Sequence, residues 1–112
     1  MKRSMNLIPQ IPFSILLALS LKPRHGYEIM QQVADDSLGK IKLGPGSLYT
    51  AIKQLCDDGL IEEVAPEDSR RRRYRLTSAG WARLSAELEY FDNTLKLARK
   101  RPQHQQLRWV TT

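Results

Sequence analysis

At 112 residues the chain has room for one domain and one modest core, and chains of this size often complete their burial by oligomerising. The formal net charge of +6 is concentrated: Arg70, Arg71, Arg72, Arg73 and Arg75 crowd one short stretch, while the acids lie mostly elsewhere, at Glu28, Asp35, Asp36, Asp57, Asp58, Glu87, Glu89 and Asp92. A single cysteine, Cys56, excludes an internal disulfide and a cysteine metal cluster and suits a reducing cytoplasm.

The first predicted helix runs from about Pro12 to Leu21 and is apolar nearly all round, as expected of a helix buried between its own domain and a partner. The apolar run from Ile11 to Leu21 is only about half of the ~20 residues that a bilayer span needs, and Pro23 closes it. Lys2 and Arg3 precede this run as in a signal peptide. The polar Asn6, Gln10 and Ser14, two prolines and the lack of a small-residue cleavage site argue against that reading, so no membrane segment is expected.

A second helix starts near His25-Gly26, carries Tyr27, Ile29, Met30 and Val33 as a core stripe, and ends at Asp35 to Ser37. Ile41-Lys42-Leu43 reads as a stub of strand. The third helix begins at Gly44-Pro45-Gly46-Ser47, since proline suits a first turn where its missing amide hydrogen is no loss. Leu48, Ile52 and Leu55, with Cys56 beside them, recur at the spacing of a buried face, and Asp57-Asp58-Gly59 ends the helix. Ser47, Tyr49, Thr50 and Lys53 are thereby placed on the exposed face.

Two strands follow, about Leu60 to Ala65 and Arg70 to Leu76, joined by the polar turn Pro66-Glu67-Asp68-Ser69. Alternation puts Tyr74 and Leu76 on the core side and Arg71, Arg73 and Arg75 on the other. Thr77 is an N-cap, and Leu76 and Trp81 are spaced as a hydrophobic staple, although Gly80 stands where a capping box would have Glu or Gln. The last helix, about Ser78 to Arg101, carries Trp81, Leu84, Leu88, Phe91, Leu95 and Ala98 as a heptad seam. At 1.5 Å per residue it is roughly 36 Å long, too long for this domain to cover, so a second copy is the expected cover. The polar tail from Pro102 is expected to be loosely ordered.

These elements describe a mainly α fold with a small β-hairpin: a DNA-binding winged helix-turn-helix domain over 1–77, a dimerisation helix over 78–101 and a tail over 102–112. Arginine forks match phosphate oxygen pairs, so double-stranded DNA is the expected partner of the hairpin, including Arg70 and Arg72. No nucleophile, base and orienting acid converge and there is no glycine-rich phosphate loop, which argues against an enzyme. His25 and His104 lack companions at metal-ligand spacing.

Four strings carry a resemblance: HGYEIM (25–30), GPGSLYTAIKQL (44–55), DGLIEE (58–63) and RRRYRLTSAG (71–80). In order and spacing the chain resembles the PadR family of winged helix-turn-helix transcriptional regulators, and its single terminal helix resembles the family's smaller class. Two departures stand out. The family often has glycine at the hairpin tip and two tyrosines near its end, of which only Tyr74 is present, and Cys56 stands where glutamate is usual. The resemblance implies a cytoplasmic homodimeric repressor on a two-fold operator, with Tyr49 in the DNA-facing set. Some PadR-like proteins bind flat aromatic effectors between subunits, for which Trp81 and Phe91 are the candidate residues here. Aromatics at heptad spacing are more often plain core, and the helix beyond Gly80 carries too little of the family's pattern to transfer ligand contacts. The alternative is a winged-helix module that binds a protein through its basic face.

Overall fold

The computed structural model describes residues 6–65 and 71–102. In chain order the elements are α1 (Gln10–Leu19), β1 (Arg24–His25), α2 (Gly26–Asp36), α3 (Pro45–Asp57), β2 (Ile61–Val64), β3 (Arg73–Leu76) and α4 (Ser78–Arg99). The expected turn at 66–69, Arg70, His104 and the rest of the tail at 103–112 lie outside the described residues.

Helix α1 is the hub: its Ile15, Leu16, Ala18 and Leu19 are buried, and it packs on α2, α3, α4 and β3. It starts two residues before Pro12, because a proline in the first turn has no amide hydrogen to lose. Ile29 and Val33 of α2, Leu48, Ile52 and Leu55 of α3, Ile61 of β2 and Leu84 of α4 close the core around it. Burying each of these side chains is worth about 1.5–3 kcal/mol.

Tyr27 departs from its expected place in the core stripe and is 61% exposed. The stripe is in phase with Gly26, Ile29 and Val33, all buried, and one position on turns a helical side chain outward by about 100°. Nor does Ile41–Leu43 form a strand. Ile41 and Leu43 pack on the core as irregular chain, and the third strand is β1. Two residues squeezed between Pro23 and a helix start show no alternation, so β1 has no local signature; it exists because β3 accepts it as an edge, pairing Arg24 with Tyr74 and His25 with Arg73. The antiparallel order is β1-β3-β2.

Local stop and start signals hold α3, the hairpin and α4 together. Gly59 has φ +76° just past the end of α3, and Leu60 N donates to Leu55 O, a glycine-terminated helix end. Thr77 Oγ1 accepts from Gly80 N at 3.0 Å and donates to Gly59 O at 2.6 Å, while Thr77 N donates to Leu60 O. A Cβ on Gly80 would collide with the Leu60 carbonyl oxygen. Close approach of α4 to the β2 entry therefore requires glycine where a capping box would have glutamate. Trp81, spaced as the staple partner of Leu76, remains 47% exposed.

The first turns of α4 are part of the domain core. Leu84 is fully buried, and Glu87 is 4% exposed and accepts from Ile8 N at 2.7 Å through Oε2. Arg83 donates to the Asn6 carbonyl at 2.6 Å, so two charged side chains of α4 hold the segment before α1.

Candidate nucleic-acid interface

Helix α3 buries Leu48, Ala51, Ile52 and Leu55 and turns Ser47, Tyr49, Thr50 and Lys53 to solvent. Pro45 in the first turn and Gly44 as N-cap leave this end narrow and open. Lys53 is drawn along the surface by Asp57 at 3.1 Å, an exposed pair of small net worth. Tyr49 is half exposed and leans back over α2, where a Cβ on Gly26 would collide with its hydroxyl. Glycine at 26 is thus what lets the tyrosine of α3 lie against α2.

The hairpin divides the arginine run. Tyr74 and Leu76 are buried, Arg73 is half-buried and Arg75 points outward, where Glu62 holds it at 2.9 Å. Arg72, beyond the end of β3, reaches Glu63 at 3.7 Å. Arg71 Nη1 stands 3.3 Å from His25 Nε2. That nitrogen is also 3.4 Å from Glu28 Oε1, so it accepts from the guanidinium when bare and donates to the carboxylate when it carries the proton. The expectation that acids lie mostly away from the arginine cluster leaves out Glu62 and Glu63, which approach it. Register sets Glu62 opposite Arg75 and Glu63 opposite Tyr74, two residues from Arg72, so β2 brings two carboxylates to the cluster.

Between the hairpin, α3 and the start of α2 lies an open cleft of about 910 Å³. Its walls are Tyr49 from α3, Arg71, Arg72 and Tyr74 from the hairpin, and Tyr27 and Gln31 from α2, with His25 and Glu28 at one end. The Tyr74 phenol is pushed above its usual pKa, first by burial and then by Glu63, against the opposing pull of Arg72. It stays neutral through the physiological range. Sequence reasoning missed Tyr27, Gln31 and His25 as members of this surface. Of the expected DNA-facing residues, Tyr49, Arg71 and Arg72 come together here, whereas Ser47, Thr50, Lys53, Arg73 and Arg75 lie outside its walls.

The other candidate surface is the seam of α4. Leu84 belongs to the domain's own core, Leu95 and Ala98 are half-buried, and Trp81, Leu88 and Phe91 are 47%, 42% and 43% exposed. Tyr90 and Leu97, off the seam, are about as exposed. Phe91 packs edge-on against Phe13 of α1 at 5.6 Å and lines a cavity of about 430 Å³ with Ile8, Leu17, Val33 and Ile41. Trp81 does not reach that cavity, so the two residues expected to share an effector pocket are not brought together within one subunit.

Cys56, half-buried at the end of α3, has its thiol pKa raised by burial and then by Asp57 and Glu63, outweighing Lys53, which makes it a resting thiol. Among the described residues no three His, Cys, Asp or Glu side chains are grouped to hold a metal, and no helix is long and apolar enough to cross a membrane.

Comparison with known proteins places the chain among regulators. The sequence profile described as "Transcriptional regulator PadR-like family" matches residues 15–86. An uncharacterized protein of Lysinibacillus sphaericus is 34% identical over 76 residues, 64% of this chain and 70% of that protein. A transcriptional regulator from Clostridium thermocellum superposes with a TM-score of 0.66 at 26% identity, covering 82% of this chain and 92% of that one. A PadR family transcription regulator from Clostridium difficile does so with the same TM-score and identity, over 80% and 95% of the two chains.

Proposed function

Since the chain belongs to the PadR-like family of transcriptional regulators, we propose that it is a homodimeric DNA-binding repressor acting on a two-fold operator. The observation that carries this reading is the shared cleft: Tyr49 of α3 and Arg71 and Arg72 of the hairpin line one continuous polar surface. Helix α3 would enter the major groove, with Ser47, Thr50 and Lys53 near base edges. The arginines at the hairpin would hold the flanking phosphates. The exposed apolar residues of α4 support pairing with a second copy, which would space two half-sites by roughly one helical turn, ~34 Å. The protein would act in the cytoplasm, where Cys56 stays reduced.

For the effector, the cavity beside Phe13 and Phe91 supports a small apolar molecule, since its volume is within the range of ligand pockets. Phe91, without Trp81, is the residue that would stack on it.

Selection of bound fragments from genomic DNA, followed by titration of the selected duplex at several salt concentrations, tests the reading. The expected result is a preferred two-fold sequence and a log-log salt slope of about −0.9 per phosphate contact. Equal affinity for selected and random duplex would remove operator specificity, and salt-independent binding would remove the phosphate clamp.

A further inference from the structure

Tyr27 has the features of a binding residue and none of a packing residue. It is 61% exposed at the start of α2, and the core position beside it is filled by the buried Gly26. Its hydroxyl oxygen accepts from Gln31 Nε2 at 3.1 Å across one helical turn. That bond occupies a lone pair, so the phenolic proton is left to donate away from the helix.

The surroundings of that proton are selective for an anion. Tyr27 and Gln31 face Tyr49, Arg71 and Arg72 across the same cleft. The one carboxylate on its wall among the described residues, Glu28, is held by His25 N at 3.1 Å and lies beside the imidazole, which leaves it the least able to repel a phosphate. Two guanidinium groups, the exposed phenols and an amide against a single engaged carboxylate give a donor-rich trough. At about 910 Å³ and open to solvent, it suits a run of sugar-phosphate backbone better than one small ion.

We propose that Tyr27 and Gln31 form the third wall of a backbone clamp, gripping the DNA strand that crosses from α3 to the hairpin. This rests on the DNA-binding reading above and adds residues that neither the recognition helix nor the arginine hairpin contains. Because the first helix of a helix-turn-helix crosses the backbone rather than entering the groove, the two side chains set register and carry no base information. Gly26 is the positioning residue, since it leaves room for Tyr49 to lie against the same wall.

The test compares native protein with Tyr27→Phe and Gln31→Ala on the selected operator and on random duplex, with thermal melting as the control for folding. Each variant is expected to melt like the native protein and to lose roughly 10- to 15-fold in affinity on both duplexes alike, the low end for a hydrogen bond to a charged group. Replacing single backbone phosphates by neutral methylphosphonates should identify one position at which Tyr27→Phe no longer has an effect. Unchanged affinity of both variants, or a loss confined to the operator, would falsify the clamp while leaving the native protein's salt-dependent binding intact. Absence of any duplex binding by the native protein would overturn the DNA-binding reading itself, and the clamp with it.

Discussion

The arginine-lined cleft and the outer face of α4 are both exposed, but they meet water in opposite ways. In the cleft each charge has a weak internal partner: Arg72 has Glu63, Arg71 has His25, and Glu28 has the amide of His25. Such a surface is stable uncovered, and a ligand gains only the difference between its own contacts and those it displaces. On α4, Leu88, Phe91 and Leu97 have no polar alternative, and covering them gains about 25 cal/mol for each Å² removed from water. Substitutions in the cleft should therefore act in small graded steps, and substitutions along α4 should act nearly all or none.

The largest step should come from Leu88→Glu, which sets two like charges at the centre of the proposed two-fold contact. We expect a monomer of half the mass in sedimentation and a loss of operator affinity of roughly 100-fold or more, because two linked half-sites no longer act together. A mutant that stays dimeric would show that α4 packs differently and would erase the contrast between the two surfaces.

Gly80→Ala tests the end of α4 that is already buried. The added methyl collides with the Leu60 carbonyl oxygen, which is backbone and cannot swing aside as a flexible side chain would. The expected cost is about 3 kcal/mol, the upper end for overpacking, read as a lower melting temperature at unchanged cooperativity. A cost under about 1 kcal/mol would mean that the hairpin and α4 are less tightly joined than this contact requires.

The smallest effect belongs to the polar side and has the opposite sign. Glu62→Gln removes the carboxylate that holds Arg75 at 2.9 Å, an exposed pair worth about 0.2–1 kcal/mol. Freed from this internal competitor, Arg75 should raise affinity for any duplex by roughly 2- to 4-fold, measured by titration at fixed salt. A fall in affinity would show that Glu62 orients the guanidinium instead of competing for it.

Much of the architecture is legible without coordinates because its signals are local. Leu48, Ile52 and Leu55 repeat within a few residues, Pro45 and Gly59 bracket their helix, and Thr77 caps the next by reaching only as far as Gly80. What stayed hidden depends on residues far apart in the chain. His25 meets Arg71 across 46 positions, and Ile8 meets Glu87 across 79. No spacing rule reveals that a two-residue segment will be accepted as a strand, or that an acid one residue before a heptad leucine will be buried to bind an amide.

The candidate interface divides along the same line. The amino-acid sequence by itself determined that a helix with a polar outer face is followed by an arginine-rich hairpin and a long amphipathic helix, since side-chain period and charge are properties of consecutive residues. Only the tertiary structure decided that Tyr27 faces the cleft and not the core, that Arg71 and Arg72 line it while Arg75 turns to Glu62, and that Leu84 belongs to the domain core. A helix's phase and a strand's neighbours are set by what packs against them, and that depends on contacts which exist only once the chain has closed on itself.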